Sequence, residues 1–136
     1  NIDLLGFKPP SLIPSYLSAF DVLLMPYQRR VSLRSNKRDT SEFMSPMKMF
    51  EYMASGRPII SSRLPVLMEV LSHEHNALLA EPDVVNEWLS AVTLLKENRQ
   101  LRDSLAGRAA EDVKNYTWYN RAHKIVSSQI KTINEA

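Results

Sequence analysis

An α/β domain, with a mainly parallel sheet flanked by helices, is the fold class this sequence predicts, on three observations. Val22-Leu23-Leu24-Met25-Pro26 is a short unbroken apolar run, the pattern of a strand buried on both faces. Ser45 to Ser62 joins a charged helix with clear stop signals to a second apolar strand, Arg57 to Ser62. Val84 to Val113 carries Trp88, Leu89, Val92 and Leu95, then Leu101 and Leu105, at the spacing of two amphipathic helices separated near Asn98.

In chain order, Asn1 to Gly6 reads as a short strand and turn. Pro9, Pro10 and Pro14 punctuate a loop, and Ile13 to Phe20 reads as a short helix delivering Asp21 to the first apolar strand. Tyr27 to Met44 is polar and holds Arg29, Arg30, Arg34, Lys37 and Arg38, the most cationic segment. It exceeds the ~2–6 residues of an ordinary βα loop, so it is either a solvated loop or a contact for an anionic acceptor or phosphate.

The next helix has Ser45 as its expected N-cap, Pro46 at its first position and Gly56 as a left-handed stop. Met49, Phe50, Met53 and Ala54 form its apolar stripe, and Lys48, Glu51, Tyr52 and Ser55 lie on another face. Lys48 thus adds a full charge to a helix end whose free N–H groups and dipole favour a phosphate. Glu51, about a turn further in, suits a sugar hydroxyl. The competing reading is a Lys48–Glu51 surface pair, worth a few tenths of a kcal/mol. After the second strand, Leu64-Pro65 opens a turn and Val66 to Leu71 a short helix, placing Ser61, Ser62 and the turn amides at the sheet edge where open α/β sheets bind ligands. Tyr116, Trp118 and Tyr119 precede a last helix carrying Ile125, Val126, Ile130 and Ile133.

Composition narrows the class. With 136 residues and 44% hydrophobic content the chain fits one compact domain or part of one. It has no cysteine, which excludes disulfides and thiolate zinc sites. A net charge of +2 does not imply nucleic acid. No signal peptide appears and no apolar run approaches the ~20 residues of a transmembrane segment; a cytoplasmic protein, at most peripheral at a membrane, is expected. His73-Glu74-His75 offers too few ligands for a closed metal site, so no metal is expected there, and His123 reads as a solvated or packing residue.

The order Ser45-Pro46-x-Lys48-x-Phe50-Glu51-Tyr52-Met53-Ala54-x-Gly56-x-Pro58, followed by an apolar strand, resembles the donor-binding segment of GT-B glycosyltransferases of family 4. Leu5-Gly6-Phe7, Ile13 to Asp21, Leu23 to Pro26, Leu64-Pro65 with Glu69, and Asn76-Ala77-Leu78-Leu79 with Pro82 and Asp83 follow that family's order. The resemblance implies the C-terminal half of a GT-B architecture: residues 1–115 as part of a nucleotide-sugar binding domain, and 116–136 as a helix packing on that domain or back toward an absent N-terminal domain. The chain, which opens abruptly at Asn1, accordingly reads as part of a longer protein, with acceptor-side catalytic residues and the main cationic diphosphate clamp elsewhere.

By that resemblance the donor contacts are Ser45, Pro46, Met47, Lys48, Glu51, Leu64 and Pro65, with Glu51 on the ribose hydroxyls and the helix N-terminus facing the diphosphate. Glu42, Phe43, Ser62 and Glu69 are secondary candidates. The commoner family pattern has two glutamates with seven residues between them, and the first, usually on the donor sugar, is Phe43 here with Glu42 one residue earlier. The implied reaction is retaining transfer of a hexosyl group from a nucleotide-sugar to the hydroxyl of a glycan, lipid-linked or small-molecule acceptor, without a required cofactor. A GT-B sugar-nucleotide epimerase and a non-catalytic nucleotide-sugar binding module are the alternatives.

Overall fold

The computed structural model describes residues 2–29, 32–33, 36–39 and 46–134. Residues 2–9 have no regular structure, so the strand expected over Asn1 to Gly6 is not formed; no strand pairs with this segment, and Leu4 and Phe7 are exposed. A strand needs a ladder for its N–H and C=O groups, and composition cannot supply one. Gly6 adopts a left-handed backbone conformation, at φ +64°. A 3-10 turn at Pro10–Leu12 leads into α1 (Ile13–Ala19), where Leu17 is buried and the Arg57 guanidinium donates to the carbonyl of Ser18 near the helix end.

The sheet is formed by β1 (Leu23–Met25), β4 (Ile59–Ser62) and β5 (Leu78–Ala80) in the order β1-β4-β5, all parallel. Leu23 lies opposite Ile59, and Ile60 opposite Leu78. Between β1 and β4, β2 (Ser32–Leu33) and β3 (Asn36–Asp39) pair as an antiparallel hairpin within the segment that reads as a loop. Next comes α2 (Met47–Ala54), whose Met49 and Met53 are buried. Pro46 occupies its N-cap, one residue before the position expected for it, and Gly56 closes the turn to β4 at φ +68°. Ser45, the expected cap, lies outside the described residues.

Side chains alternate across the strands and so feed two cores. Met25, Ile59 and Leu79 join Met49 and Met53 of α2 and Leu67 of α3 (Pro65–Met68). Ile60 and Leu78 join Leu95 of α4 (Val85–Glu97) and Leu105 of α5 (Arg99–Asp112). Each fully buried Leu, Ile or Met contributes about 1.5–3 kcal/mol relative to exposure, and β4, covered on both faces, anchors the domain. β1 departs from the expected double burial: Leu24 is half-exposed because the second core covers β4 and β5 but not this edge strand. The helix break near Asn98 is as read, and its side-chain carbonyl caps α5 by accepting from the Leu101 amide at 2.9 Å. The chain continues through a 3-10 turn at Val113–Asn115 to α6 (Trp118–Asn134), which takes Trp118 and Tyr119 into its first turn.

Candidate functional site

The first turn of α2 lies beside the C-terminal edge of the sheet. The fully buried Ser62 hydroxyl donates to the Tyr27 carbonyl at 2.6 Å, fastening the end of β4 to the segment leaving β1. Tyr27 thereby presents its ring to α2, and the exposed Lys48 ammonium lies over it, 5.9 Å from the ring centroid. The ammonium is thus directed toward the sheet edge and makes no ion pair with Glu51 among the described residues. Of the first-turn amides of α2, that of Met49 donates to Pro46 O at 3.0 Å, and those of Met47 and Lys48 have no partner among the described residues. A cation and free N–H groups therefore share one end of α2, an arrangement suited to an anion.

Glu51, on α2, is exposed and makes no hydrogen bond or ion pair with any described residue. It stands on a ridge between two hollows. One, of about 270 Å³, is walled by Pro10, Ile13, Pro14, Leu17, Ala54 and Ser55 and is mainly apolar. The other, of about 610 Å³, lies between Met47, Phe50 and Glu51 on one side and Tyr116, Trp118, Arg121 and Lys124 on the other. Next to Glu51, the Tyr52 phenol is pushed above its ordinary range by burial first, then by the phenol of Tyr27 and the Glu51 carboxylate. A free carboxylate flanked by two hollows is an acceptor for ligand hydroxyls.

Pro46, Met47, Lys48 and Glu51 are therefore gathered at one end of α2. Leu64 and Pro65 offer no N–H donor: the Leu64 amide donates to Ser62 O at 3.0 Å, its side chain is buried, and proline has none. Ser62 serves Tyr27 rather than solvent, and Glu69 is exposed at the C-cap of α3. Glu42, Phe43, Arg30, Arg34 and Ser45 lie outside the described residues, as do the side chains of Lys37 and Arg38. Arg29, expected in the cationic segment, is bound to Glu81 and, at 3.4 Å, to Asp83.

The histidine pair works on structure. His73 Nδ1 accepts from the Leu79 amide at 2.9 Å, and His75 Nε2 approaches Asp112 at 3.2 Å. His73 is one of four side chains on the outer edge of β5: Arg63 donates to Leu79 O at 3.1 Å, Glu87 accepts from the Glu81 amide at 2.8 Å, and the Trp88 indole donates to Glu81 O at 3.0 Å. That edge is blunted against pairing with another strand. Among the described residues no group of three or more His, Asp or Glu is placed to hold a metal ion. Nor is any described helix long and apolar enough to cross a membrane. Sequence reasoning missed Tyr27 and the wall from Tyr116 to Lys124. Tyr27 carried one usable signal, its place directly after an apolar strand, on the ligand-binding side of such a sheet.

Comparison with known proteins agrees with this geometry. Over 118 residues the chain is 28% identical to an uncharacterized glycosyltransferase of Methanocaldococcus jannaschii, which takes in 87% of this chain and 30% of that protein. The fold superposes on Anabaena HepE, solved in complex with UDP-glucose, with a TM-score of 0.69 and 18% identity over 94% of this chain and 31% of that one. It also superposes on the C-terminal domain of a glycosyl transferase group 1 family protein, LpcC of Francisella tularensis, with a TM-score of 0.63 and 20% identity over 82% of this chain and 51% of that one. The chain thus spans under a third of the curated relative, and its architecture is that of the C-terminal half of a GT-B glycosyltransferase. The family model described as glycosyl transferases group 1 matches residues 1–98, and the chain belongs to that family.

Proposed function

We propose that this chain is the donor-binding part of a retaining, family 4 type glycosyltransferase that moves a hexosyl group from a nucleotide-sugar to an acceptor hydroxyl. The observation that carries the reading is Glu51: an exposed carboxylate, without a side-chain partner among the described residues, one turn from a cationic helix end and shared by two hollows. In this reading Glu51 accepts hydrogen bonds from the ribose hydroxyls. The apolar hollow beside Pro10, Ile13 and Pro14 takes the base. The first-turn amides of α2 and the Lys48 ammonium face the diphosphate, where they stabilise the charge that grows as the glycosidic bond breaks. Nucleotide-sugar chemistry is supported by the family and by UDP-glucose in the HepE complex.

The division of labour follows from what is present. In this reading the binding groups for the nucleotide are on this chain, whereas bringing the acceptor's reacting hydroxyl to the donor also needs residues elsewhere in the protein. Holding donor and acceptor together is worth up to ~7–11 kcal/mol of the barrier, so the chain by itself binds nucleotide and transfers no sugar. Calorimetric titration with UDP, GDP and ADP and their glucose conjugates tests the reading. Saturable binding of at least one diphosphate, stronger than its nucleoside, is expected; absence of binding by all of them at millimolar concentration refutes it. Sustained sugar transfer by the isolated chain would refute the division of labour.

A further inference from the structure

The larger of the two hollows at Glu51 has a chemistry that a nucleotide does not account for. Its far wall comes from the segment joining α5 to α6 and from the first two turns of α6, far from α2 in sequence. The Phe50 and Tyr116 rings meet at 5.4 Å and form its aromatic floor. Trp118 stands at its rim, 80% exposed. Arg121 and Lys124 line it, and neither side chain has a carboxylate partner among the described residues. Of the other arginines whose side chains are described, all but Arg102 have a carboxylate or carbonyl partner: Arg29 on Glu81 and Asp83, Arg57 on Ser18, Arg63 on Glu81, Arg99 on Asp103 and Arg108 on Glu74. The hollow therefore combines aromatic surface with two uncompensated cations, against the single carboxylate of Glu51.

We infer that this hollow is an acceptor subsite for a sugar bearing an anionic group, a carboxylate or a phosphate. The inference rests on the donor reading of Glu51, which puts the nucleotide on the other side of the same ridge. The apolar C–H face of a sugar ring packs on the electron-rich faces of Trp118 and Tyr116. Its anionic substituent meets the Arg121 fork and the Lys124 ammonium; the guanidinium suits a carboxylate or phosphate bidentately, and the ammonium adds a point charge. The remaining hydroxyls are left toward Glu51 and the helix end where the donor sugar is delivered. A neutral sugar keeps the stacking and loses the charge contacts, so selectivity for anionic sugars is built into the wall.

The test titrates the whole chain, saturated with UDP, with methyl glucuronide, glucose 6-phosphate, methyl glucoside and inorganic phosphate, following tryptophan fluorescence. Trp88 is tied to Glu81 O on the far edge of the sheet, so a change abolished by Trp118→Phe reports this hollow alone. Both anionic sugars should bind in the presence of UDP, more tightly than methyl glucoside and more tightly than phosphate. The double change Arg121→Ala with Lys124→Ala should weaken them by about fivefold to thirtyfold and leave UDP affinity unchanged. Tighter binding of the glucuronide or of the 6-phosphate tells which anion the site takes. Displacement of the anionic sugars by UDP assigns the two cations to the donor diphosphate and overturns the inference. Equal binding of neutral and anionic sugars, or no saturable binding with UDP in place, overturns it as well. Failure of UDP, GDP and ADP alike to bind is the separate result that refutes the donor reading; where only GDP or ADP binds, that nucleotide replaces UDP in the titration.

Discussion

Glu51→Gln isolates the one group on which the donor reading depends. The substitution keeps size and shape and removes the charge. Because the carboxylate has no protein partner among the described residues, nothing in the fold is left unpaired by the change. Surface substitutions of that kind stay within about 0.5 kcal/mol, so the denaturation midpoint should scarcely move. Hydrogen bonds to a charged acceptor are worth about 1.5–3 kcal/mol; the exposure of Glu51 places its ribose contacts at the lower end of that range. Nucleoside diphosphate affinity should therefore fall about tenfold to thirtyfold, at ~1.4 kcal/mol per decade. The corresponding 2′-deoxynucleotide supplies the internal control: it has already lost one hydroxyl, so the substitution should cost it less. Calorimetry on wild type and variant with both ligands gives the four affinities. An unchanged affinity for the ribonucleotide, with an unchanged midpoint, refutes the role of Glu51; an equal loss for both sugars shows that the carboxylate acts on something other than the ribose.

Lys48→Ala should weaken nucleoside diphosphate binding by about threefold to tenfold and leave the uncharged nucleoside unaffected, and ~1 M salt should shrink the difference, since the Debye length is then only ~3 Å; equal losses for both ligands, measured by the same titration, would mean that Lys48 only shapes the pocket. Asn76→Ala removes a buried amide that accepts from Ser72 N at 2.8 Å and donates to Val70 O at 3.1 Å and Asp112 at 2.8 Å, so urea unfolding should show a loss of about 2–4 kcal/mol. Tyr52 has a raised phenol pKa in the fold, which means that the folded state favours the neutral form: its stabilisation is complete below the unfolded value near 10 and is lost as pH rises through the folded value. Urea midpoints should therefore fall as pH rises above about 10, and Tyr52→Phe should flatten that fall; an identical slope in the variant would refute the assignment.

How far a sequence discloses such a site depends on whether its parts are joined by local or distant contacts. Lys48 and Glu51 were legible because helical spacing alone puts them on one face, and Gly56 because a helix running directly into an apolar strand needs a left-handed turn. The burial of β4 followed from its apolar run, and the α4–α5 break from Asn98. The missing N-terminal strand and the unexpected hairpin share one cause, that ladder pairing is a property of two segments and neither segment's composition states its partner. The structural role of His73 was not legible because its partner, the Leu79 amide, belongs to a strand edge that exists only in the fold.

The wall opposite Glu51 was illegible for a related reason. Tyr116, Trp118, Arg121 and Lys124 read as the entry to an amphipathic helix, and periodicity assigns such residues a face without naming what the face meets. Packing of α2 against α5 and the following 3-10 turn brings that segment beside Phe50, and only then do an aromatic floor and two cations without a carboxylate partner among the described residues come to face Glu51. The half proposed to hold the nucleotide is thus encoded within a few helical turns. The half inferred to receive the acceptor is encoded in how two helices pack. A change to the α2–α5 contact, such as Ala109→Leu at a fully buried position, should consequently disturb anionic sugar binding more than nucleotide binding in the fraction that stays folded.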